Sequence, residues 1–331
     1  MSHVHNFAQQ PRPALLCDVT PRDGLQNEKR VLDTATKLEL VRRLVESGLR
    51  RIELTSFVNP RRVPQMADAD AVAEAVLGTY DSVVFSALVL NERGMERAIK
   101  AGFQEVNAVV VCTDTFCRRN QGMSTDNAVR SFTEMAQMAR EAGVRTTVTL
   151  AAAFGCPFEG EVPVERVAEI AASVFQAGPQ EVLLADTIGV AVPADIRARV
   201  AAVREVIGGG ADIRLHLHDT RNTAVANALT ALEVGVTALD STVGGFGGCP
   251  FAPAATGNVA TEDLSYALER SGVEAGVDRS QLISTAHWLG KHLQRPVPGS
   301  VANAGGFPTP RVTTRQAEQG VDGDGGGTSE Q

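Results

Sequence analysis

The segment His216-Leu217-His218-Asp219 carries the most chemical information in this chain. On a strand, residues two apart share a face and lie roughly 6.6 Å apart along the axis. Both imidazoles therefore point one way and Leu217 the other. A lone histidine reads as structural, whereas two on one strand face read as metal ligands. Asp23, within Thr20-Pro21-Arg22-Asp23-Gly24-Leu25-Gln26, supplies the carboxylate that completes three ligands with positions left open. Asn258 has two readings: a fourth ligand through its carbonyl oxygen, or the N-cap of the helix that follows. Mixed nitrogen and oxygen donors suit Mg²⁺ or Mn²⁺, and imidazoles also accommodate Zn²⁺ or Co²⁺.

Arg22 would set a fixed positive charge beside this metal, useful where an oxyanion forms or a substrate carboxylate docks. Its structural alternative is a salt bridge to Glu53 or Asp186. Glu53 interrupts an apolar run, and a buried unpaired carboxylate is costly, which places it inside a reactive mouth rather than in a helix layer. Asp186 closes the run EVLLAD. Cys249 is flanked by four glycines and Pro250, on a segment able to move as a lid. Cys17 and Cys112 lie in apolar runs and read as core; Cys117 and Cys156 fall in expected loops. The glycine run has neither GK[ST] nor GxGxxG spacing, so it is no nucleotide loop.

Residues that far apart in sequence need a scaffold that gathers them. Short apolar runs at 14–19, 51–57, 83–89, 106–112, 144–154, 181–186, 213–218 and 238–243 are rich in Val, Ile and Leu. Such runs suit strands of a parallel sheet covered by helices. Helical spacing follows each, at 34–47, 64–77, 92–101, 125–142, 162–177, 194–206, 221–234 and 259–271. In the first, Leu38, Val41, Leu44 and Val45 form one stripe between an N-cap at Asp33 and a stop at Gly48. Eight regular strand–helix units predict a closed (β/α)8 TIM barrel, with chemistry at the C-terminal ends of its strands. Arg22, Asp23, Asp186, His216, His218 and Cys249 follow or end such strands, and the second strand carries Glu53. The expected organisation is an extension at 1–13, a barrel at 14–295 with an extra helix at 279–293, and a disordered glycine-rich tail at 303–331.

Composition narrows the function classes. Among 331 residues, 31 Lys and Arg face 39 Asp and Glu, a formal charge of −8. An acidic chain is a poor match for nucleic acid, whose phosphates call for surplus cations. No apolar run approaches the ~18–20 residues of a membrane span, and the first residues lack a signal-peptide or transit-peptide pattern. Five cysteines without CxxC spacing indicate neither a disulfide framework nor a zinc ribbon. A cytoplasmic α/β enzyme is the expectation.

The stretches TPRDGLQNEK (20–29), IELTSFVNPRRVPQM (52–66), LADTIGV (184–190), HLHDT (216–220) and GGFGGCPFAPAATGNVATEDL (244–264) agree in order and content with one family. Over about residues 14–290 the chain resembles the 3-hydroxy-3-methylglutaryl-CoA lyases, metal-dependent TIM-barrel enzymes that release acetyl-CoA and acetoacetate. The resemblance implies that Asp23, His216, His218 and Asn258 hold the metal. It implies that Arg22 stabilises an enolate, that Glu53 and Asp186 flank the reacting centre, and that Cys249 is a lid thiol handling a proton. It also implies an acyl-CoA substrate, contacted by Arg22, Gln26, Lys29 and Arg61, and a homodimer. Further cations at Arg30, Arg62, Arg118 and Arg119 are available to CoA phosphates. The chain departs from the family at Gly244, Phe246 and Phe251, at Arg221-Asn222, and through 112–124. These departures leave the group on C3 open, so a related 3-hydroxyacyl-CoA such as citramalyl-CoA is an alternative substrate. Acetyl-CoA-condensing acyltransferases of the isopropylmalate or homocitrate synthase type share the barrel and the His-x-His pair. They usually continue it with Asn-Asp and lack the GGCP segment, so His218-Asp219-Thr220 and Cys249 favour the lyase. A 2-His-1-carboxylate oxygenase calls for a different β fold, and a non-enzymatic barrel leaves the convergent polar residues unexplained.

Overall fold

A computed structural model describes residues 14–248 and 257–308; the 1–13 extension, Cys249 and the chain after residue 308 lie outside this range. Eight parallel strands close a barrel, as the alternation of apolar runs predicts. They are β1 (Leu15–Asp18), β2 (Arg51–Ser56), β3 (Val84–Val89), β4 (Glu105–Val111) and β5 (Arg145–Ala151), then β8 (Glu181–Asp186), β9 (Asp212–Leu217) and β10 (Ala238–Ser241). Around the barrel they run β1-β10-β9-β8-β5-β4-β3-β2. Between β5 and β8 the chain adds a small antiparallel ribbon, β6 (Gly155–Cys156) with β7 (Gly160–Glu161). The expected strand at 144–154 stops early because Ala152 adopts φ 57°, a left-handed conformation that no strand continues.

The surrounding helices are α1 (Thr34–Glu46), α2 (Ala69–Val76), α3 (Glu92–Ala101), α4 (Asp114–Gln121), α5 (Thr125–Glu141) and α6 (Val164–Phe175), followed by α7 (Pro193–Ile207), α8 (Ala224–Glu233) and α9 (Thr261–Arg270). Local capping sets several ends. Asp33 accepts the Thr36 N–H at 2.7 Å to open α1, and Asn91 accepts the Gly94 N–H at 3.0 Å to open α3. The helix expected at 64–77 begins as a single 3₁₀ turn at Pro64–Met66, and α2 proper starts only at Ala69. The segment 112–124, read as a loop, contains α4. That places Cys117 in a helix, and Cys156 lies in the ribbon; both thiols are buried.

The extra helix is α10 (Arg279–Leu293), docked on α1 through Asp278 N–H to Ser47 C=O at 2.7 Å and Arg43 stacked 4.8 Å over Trp288. Asn303 and Ala304, expected in the tail, instead close a short helix, α11 (Ser300–Ala304). Among the described residues no helix is long and apolar enough to cross a membrane. The space between strands and helices holds the apolar core: Leu16, Ile52, Leu54, Val106, Val148, Leu150, Val182, Leu184 and Leu215 are almost fully buried. Inside the barrel the alternate positions differ. Arg51, Glu105, Glu181, Arg214 and Asp240 are buried there as an ion-pair network below the mouth.

Candidate active site

The turn after β1 brings two consecutive charged residues into the mouth. Residues Thr20–Gly24 form one π-helical turn in which the Asp23 and Gly24 N–H groups both donate to Val19 C=O, at 2.7 and 3.1 Å. Such wide turns recur at functional sites because they aim adjacent side chains inward. On β9 the two-residue period points Arg214 and His216 inward, and His218 continues the same face just past the strand. Asn258 arrives from far along the chain by an antiparallel bridge to His218, with Asp219 N–H to Gly257 C=O at 3.1 Å and Val259 N–H to Leu217 C=O at 3.0 Å.

The donor atoms of Asp23, His216 and His218 all lie within 4.8 Å of one another. His216 Nε2 is 3.1 Å from His218 Nε2 and 3.8 Å from Asp23 Oδ2. Asn258 Nδ2 donates to Asp23 Oδ2 at 2.7 Å and to Phe246 C=O at 3.1 Å. Asn258 Oδ1, by contrast, is buried with no hydrogen-bond partner among the described residues. Two facing imidazole nitrogens, an anionic carboxylate oxygen and an orphaned carbonyl oxygen form a donor set that fits a divalent cation. Asn258 does not cap α9: Ala260, two residues on, holds that position.

Charge at the site follows from burial and neighbours. Burial alone would raise the Asp23 carboxyl, but Arg22 and the two imidazoles hold it well below the usual carboxylate range. Burial and the nearby His216 push His218 down to about 4, leaving it neutral and able to bind metal. His216 goes up: burial is outweighed by its hydrogen bond to Asp240 and the charge of Asp23.

Two glycines shape the surroundings. Gly189 has φ +61°, and an added Cβ would fall 2.6 Å from Thr220 Oγ1 and 2.9 Å from His218 C=O. Gly247 has φ +103°, and its Cβ would fall 2.7 Å from Asn258 Nδ2 and 3.0 Å from Asp23 C=O. Only glycine lets these segments pass so close behind the candidate ligands.

Arg22 is held from both sides. Its Nε donates to Glu53 Oε2 at 2.7 Å, and its Nη1 contacts Asp23 Oδ1. The chain of contacts continues across the barrel: Asn107 Nδ2 donates to Glu53 Oε1 at 2.9 Å, and Thr149 Oγ1 to Asn107 Oδ1 at 2.8 Å. Glu53 therefore lies inside the barrel, with both oxygens engaged beneath Arg22, and does not itself line the cavity.

Asp186 stands behind the cavity wall, close enough to His216 for the two charges to interact. Its carboxylate is buried, accepts the Val190 and Ala191 N–H groups at 2.9 Å each, and does not line the cavity. Glu181, Leu183 and Ala185 are the inward residues of β8, and Asp186 falls on the other parity. Lys29 is exposed and outside the cavity as well, because the turn after Asn27 carries it outward. Gln26 does line the cavity and accepts a hydrogen bond from the Ser56 hydroxyl at 3.1 Å. Cys249 lies outside the described residues, although its neighbour Gly248 lines the cavity and accepts from Asn27 Nδ2 at 2.8 Å.

One site residue escaped the sequence reading. Asp240 lines the cavity, and its Oδ2 is 3.1 Å from His216 Nδ1. The signal was present, since Asp240 interrupts an apolar run as Glu53 does.

These groups open on a cavity of about 1280 Å³. Its inner wall is apolar on β4 and β8, with Val109, Val111, Leu183 and Ala185. Its rim carries Arg61, Arg62, Arg93, Arg97 and Arg119. Arg97 is paired with Asp70 and Arg119 stacks on Phe158, whereas Arg61, Arg62 and Arg93 face no carboxylate among the described residues. Arg118, expected among the phosphate contacts, pairs with Asp114 away from the cavity.

Comparison with known proteins agrees with this geometry. The HMGL-like family model matches residues 14–289. The (R)-citramalyl-CoA lyase of Chloroflexus aurantiacus is 44% identical over 88% of this chain and 94% of its own. The hydroxymethylglutaryl-CoA lyase of Bacillus subtilis is 38% identical over 87% and 96%. A solved HMG-CoA lyase from Acinetobacter baumannii, in complex with coenzyme A and 3-methylmalate, superposes with a TM-score of 0.84 at 33% identity, covering 90% of this chain and 98% of that one. With its matched segments spread along the whole barrel and its polar residues gathered at one mouth, the chain belongs to the HMGL-like family, as a carbon–carbon lyase.

Proposed function

We propose that this enzyme cleaves a 3-hydroxy-3-methylglutaryl-CoA-type thioester to acetyl-CoA and acetoacetate. The observation that carries the reading is the meeting of Asp23, His216 and His218 beside Arg22 in one cavity. Asp23, His216, His218 and the Asn258 carbonyl oxygen would hold a divalent cation, Mg²⁺ or Mn²⁺ by donor type, with Zn²⁺ or Co²⁺ also compatible. When bound, the cation supplies Lewis acidity toward the C3 hydroxyl of the substrate.

The remaining work falls to the chain's own groups. Loss of the hydroxyl proton turns C3 into a ketone as the C2–C3 bond breaks, and that bond's electron pair passes to the thioester enolate. Arg22 stabilises the enolate charge; Glu53 and Asp23 pin its guanidinium so that it need not reorganise during the step. Asp186 and Glu53 are the acidic candidates to take the hydroxyl proton, and since each is engaged by other partners, either would have to release one to accept it. A proton returns to the enolate carbon, a role the family resemblance gives to Cys249. The unpaired guanidinium groups of Arg61, Arg62 and Arg93 support CoA as the carrier, since its phosphates need cations on an otherwise acidic protein.

The 44% identity to a citramalyl-CoA lyase supports a second reading, in which the carboxylate sits on the carbinol carbon and the ketone product is pyruvate. Incubating metal-loaded protein with each thioester and reading products by mass spectrometry separates the two. Acetoacetate supports the first reading and pyruvate the second. No acetyl-CoA from either would overturn both.

A further inference from the structure

The charged network inside the barrel runs without a break to the candidate metal ligands. Arg51 on β2 bonds Glu105 on β4 at 2.6 Å and Glu181 on β8 at 2.7 Å. Glu181 lies 3.1 Å from Arg214 Nε on β9, and the same Nε lies 3.4 Å from Asp240 Oδ1 on β10. Arg214 also donates to Cys17 Sγ on β1 at 3.1 Å. The other oxygen of Asp240, Oδ2, meets His216 Nδ1 at 3.1 Å. All five charged residues are almost completely buried.

Two features of this network stand out. Buried ion pairs are a weak source of stability, because desolvation takes back most of their attraction, so a fold gains little from lining a barrel floor with four of them. And the charges do not cancel: two guanidinium groups face three carboxylates. Arg145 and Asp212, which meet the network at its solvent edge, add one charge of each sign. The floor therefore holds one surplus negative charge, and the carboxylate nearest the metal ligands is Asp240.

We infer that Asp240 is a positioning residue for the metal centre: paired by charge with Arg214, it receives the Nδ1–H of His216, fixes that imidazole in the Nδ1–H tautomer, and so commits Nε2 as the ligand atom. The inference rests on the metal-site reading above and adds to it a named outer residue with its own electrostatic support. A carboxylate behind a ligating imidazole orients the ring and raises its basicity. Arg214 supports the arrangement by charge, its Nε lying 3.4 Å from Asp240 Oδ1, so that Asp240 stays a carboxylate paired on one side while its other oxygen meets the imidazole. The surplus negative charge then lies along the line from the floor to the cation, where it favours binding of a positive ion.

Two measurements test this. In metal-free wild-type protein with ¹⁵N-labelled histidine at pH 9, the spectrum of His216 is expected to show a protonated Nδ1 and an unprotonated Nε2. In the full-length protein, Mn²⁺ affinity by chelator competition is expected to fall ~10–100-fold in Asp240→Asn, with an unchanged circular dichroism spectrum. A wild-type His216 in the Nε2–H tautomer overturns the inference, and that arm needs no variant to fold. Asp240→Asn binding Mn²⁺ as wild type does also overturns it. A wild-type protein that binds no Mn²⁺ would instead sink the metal-site reading while leaving the tautomer result standing.

Discussion

His216 Nε2 and His218 Nε2 stand 3.1 Å apart on one face of the β9 line, with Asp23 Oδ2 3.8 Å from the first. One ring can donate its Nε2–H to the other across that gap, or both lone pairs can turn to a shared ion. A cation between them satisfies both. His218→Ala should therefore lose bound metal and lower turnover at least ~10³-fold, the several kcal/mol a Lewis acid supplies. Cys249→Ser, by contrast, should keep its metal and lose most turnover. Metal content by mass spectrometry, paired with acetyl-CoA release from both variants, checks the split; a fully active Cys249→Ser enzyme would remove the thiol from the chemistry.

Strand parity explains both what was legible in advance and what was not. His216 and His218 declare themselves because two polar residues at spacing two fix their own face without any knowledge of neighbouring strands. Asp23 follows from its place just after the first strand, across the mouth from the imidazoles, and Glu53 because a carboxylate in an apolar run is costly unless it meets a polar interior. The same logic applied to Asp240 would have found it, and the parity of Glu181, Leu183 and Ala185 would have turned Asp186 away from the cavity. What no pattern in one strand reveals is which oxygen a partner consumes. The sequence offers Glu53 as a partner for Arg22 and that pair forms, yet nothing in one strand shows that Asn107 takes its other oxygen. The floor network is hidden for the same reason: its pairs join residues 54 and 130 positions apart on strands that only barrel closure brings together.

Asp186 has a job that its position predicts more clearly than its charge does. Its two oxygens hold the Val190 and Ala191 N–H groups and so fix the loop that presents Thr187 to the cavity and Gly189 to the back of His218. Asparagine keeps one acceptor and loses the other. Asp186→Asn should lower kcat ~10-fold or more through a loosened loop, while leaving metal stoichiometry at the wild-type level. Metal titration beside steady-state kinetics checks this. Loss of metal from the variant would place Asp186 among the groups that support the ligands instead.

Glu262, at the start of α9, predicts an alkaline weakness of the fold. Its Oε2 accepts the Gly244 N–H at 3.0 Å, while Oε1 is buried and has no hydrogen-bond partner among the described residues. Burial pushes its carboxyl from an ordinary 4.5 to about 8, and the nearby Asp18 rises to about 6 for the same reason. A raised carboxyl means that the folded chain holds its proton more tightly than the unfolded chain does. The contribution of Glu262 to stability is therefore complete below about 4.5 and is lost as pH climbs through about 8. Each tenfold gain in proton affinity is worth ~1.4 kcal/mol, so the loss amounts to several kcal/mol, and Asp18 adds a smaller loss at lower pH. Glu262→Gln keeps an acceptor for Gly244 and carries no charge at any pH. Its Tm should exceed that of the wild type by several degrees at pH 9, and the difference should shrink as pH falls toward 5. Thermal melts of both proteins across that range decide the matter: parallel Tm profiles would mean that Glu262 stays ionised in the folded barrel.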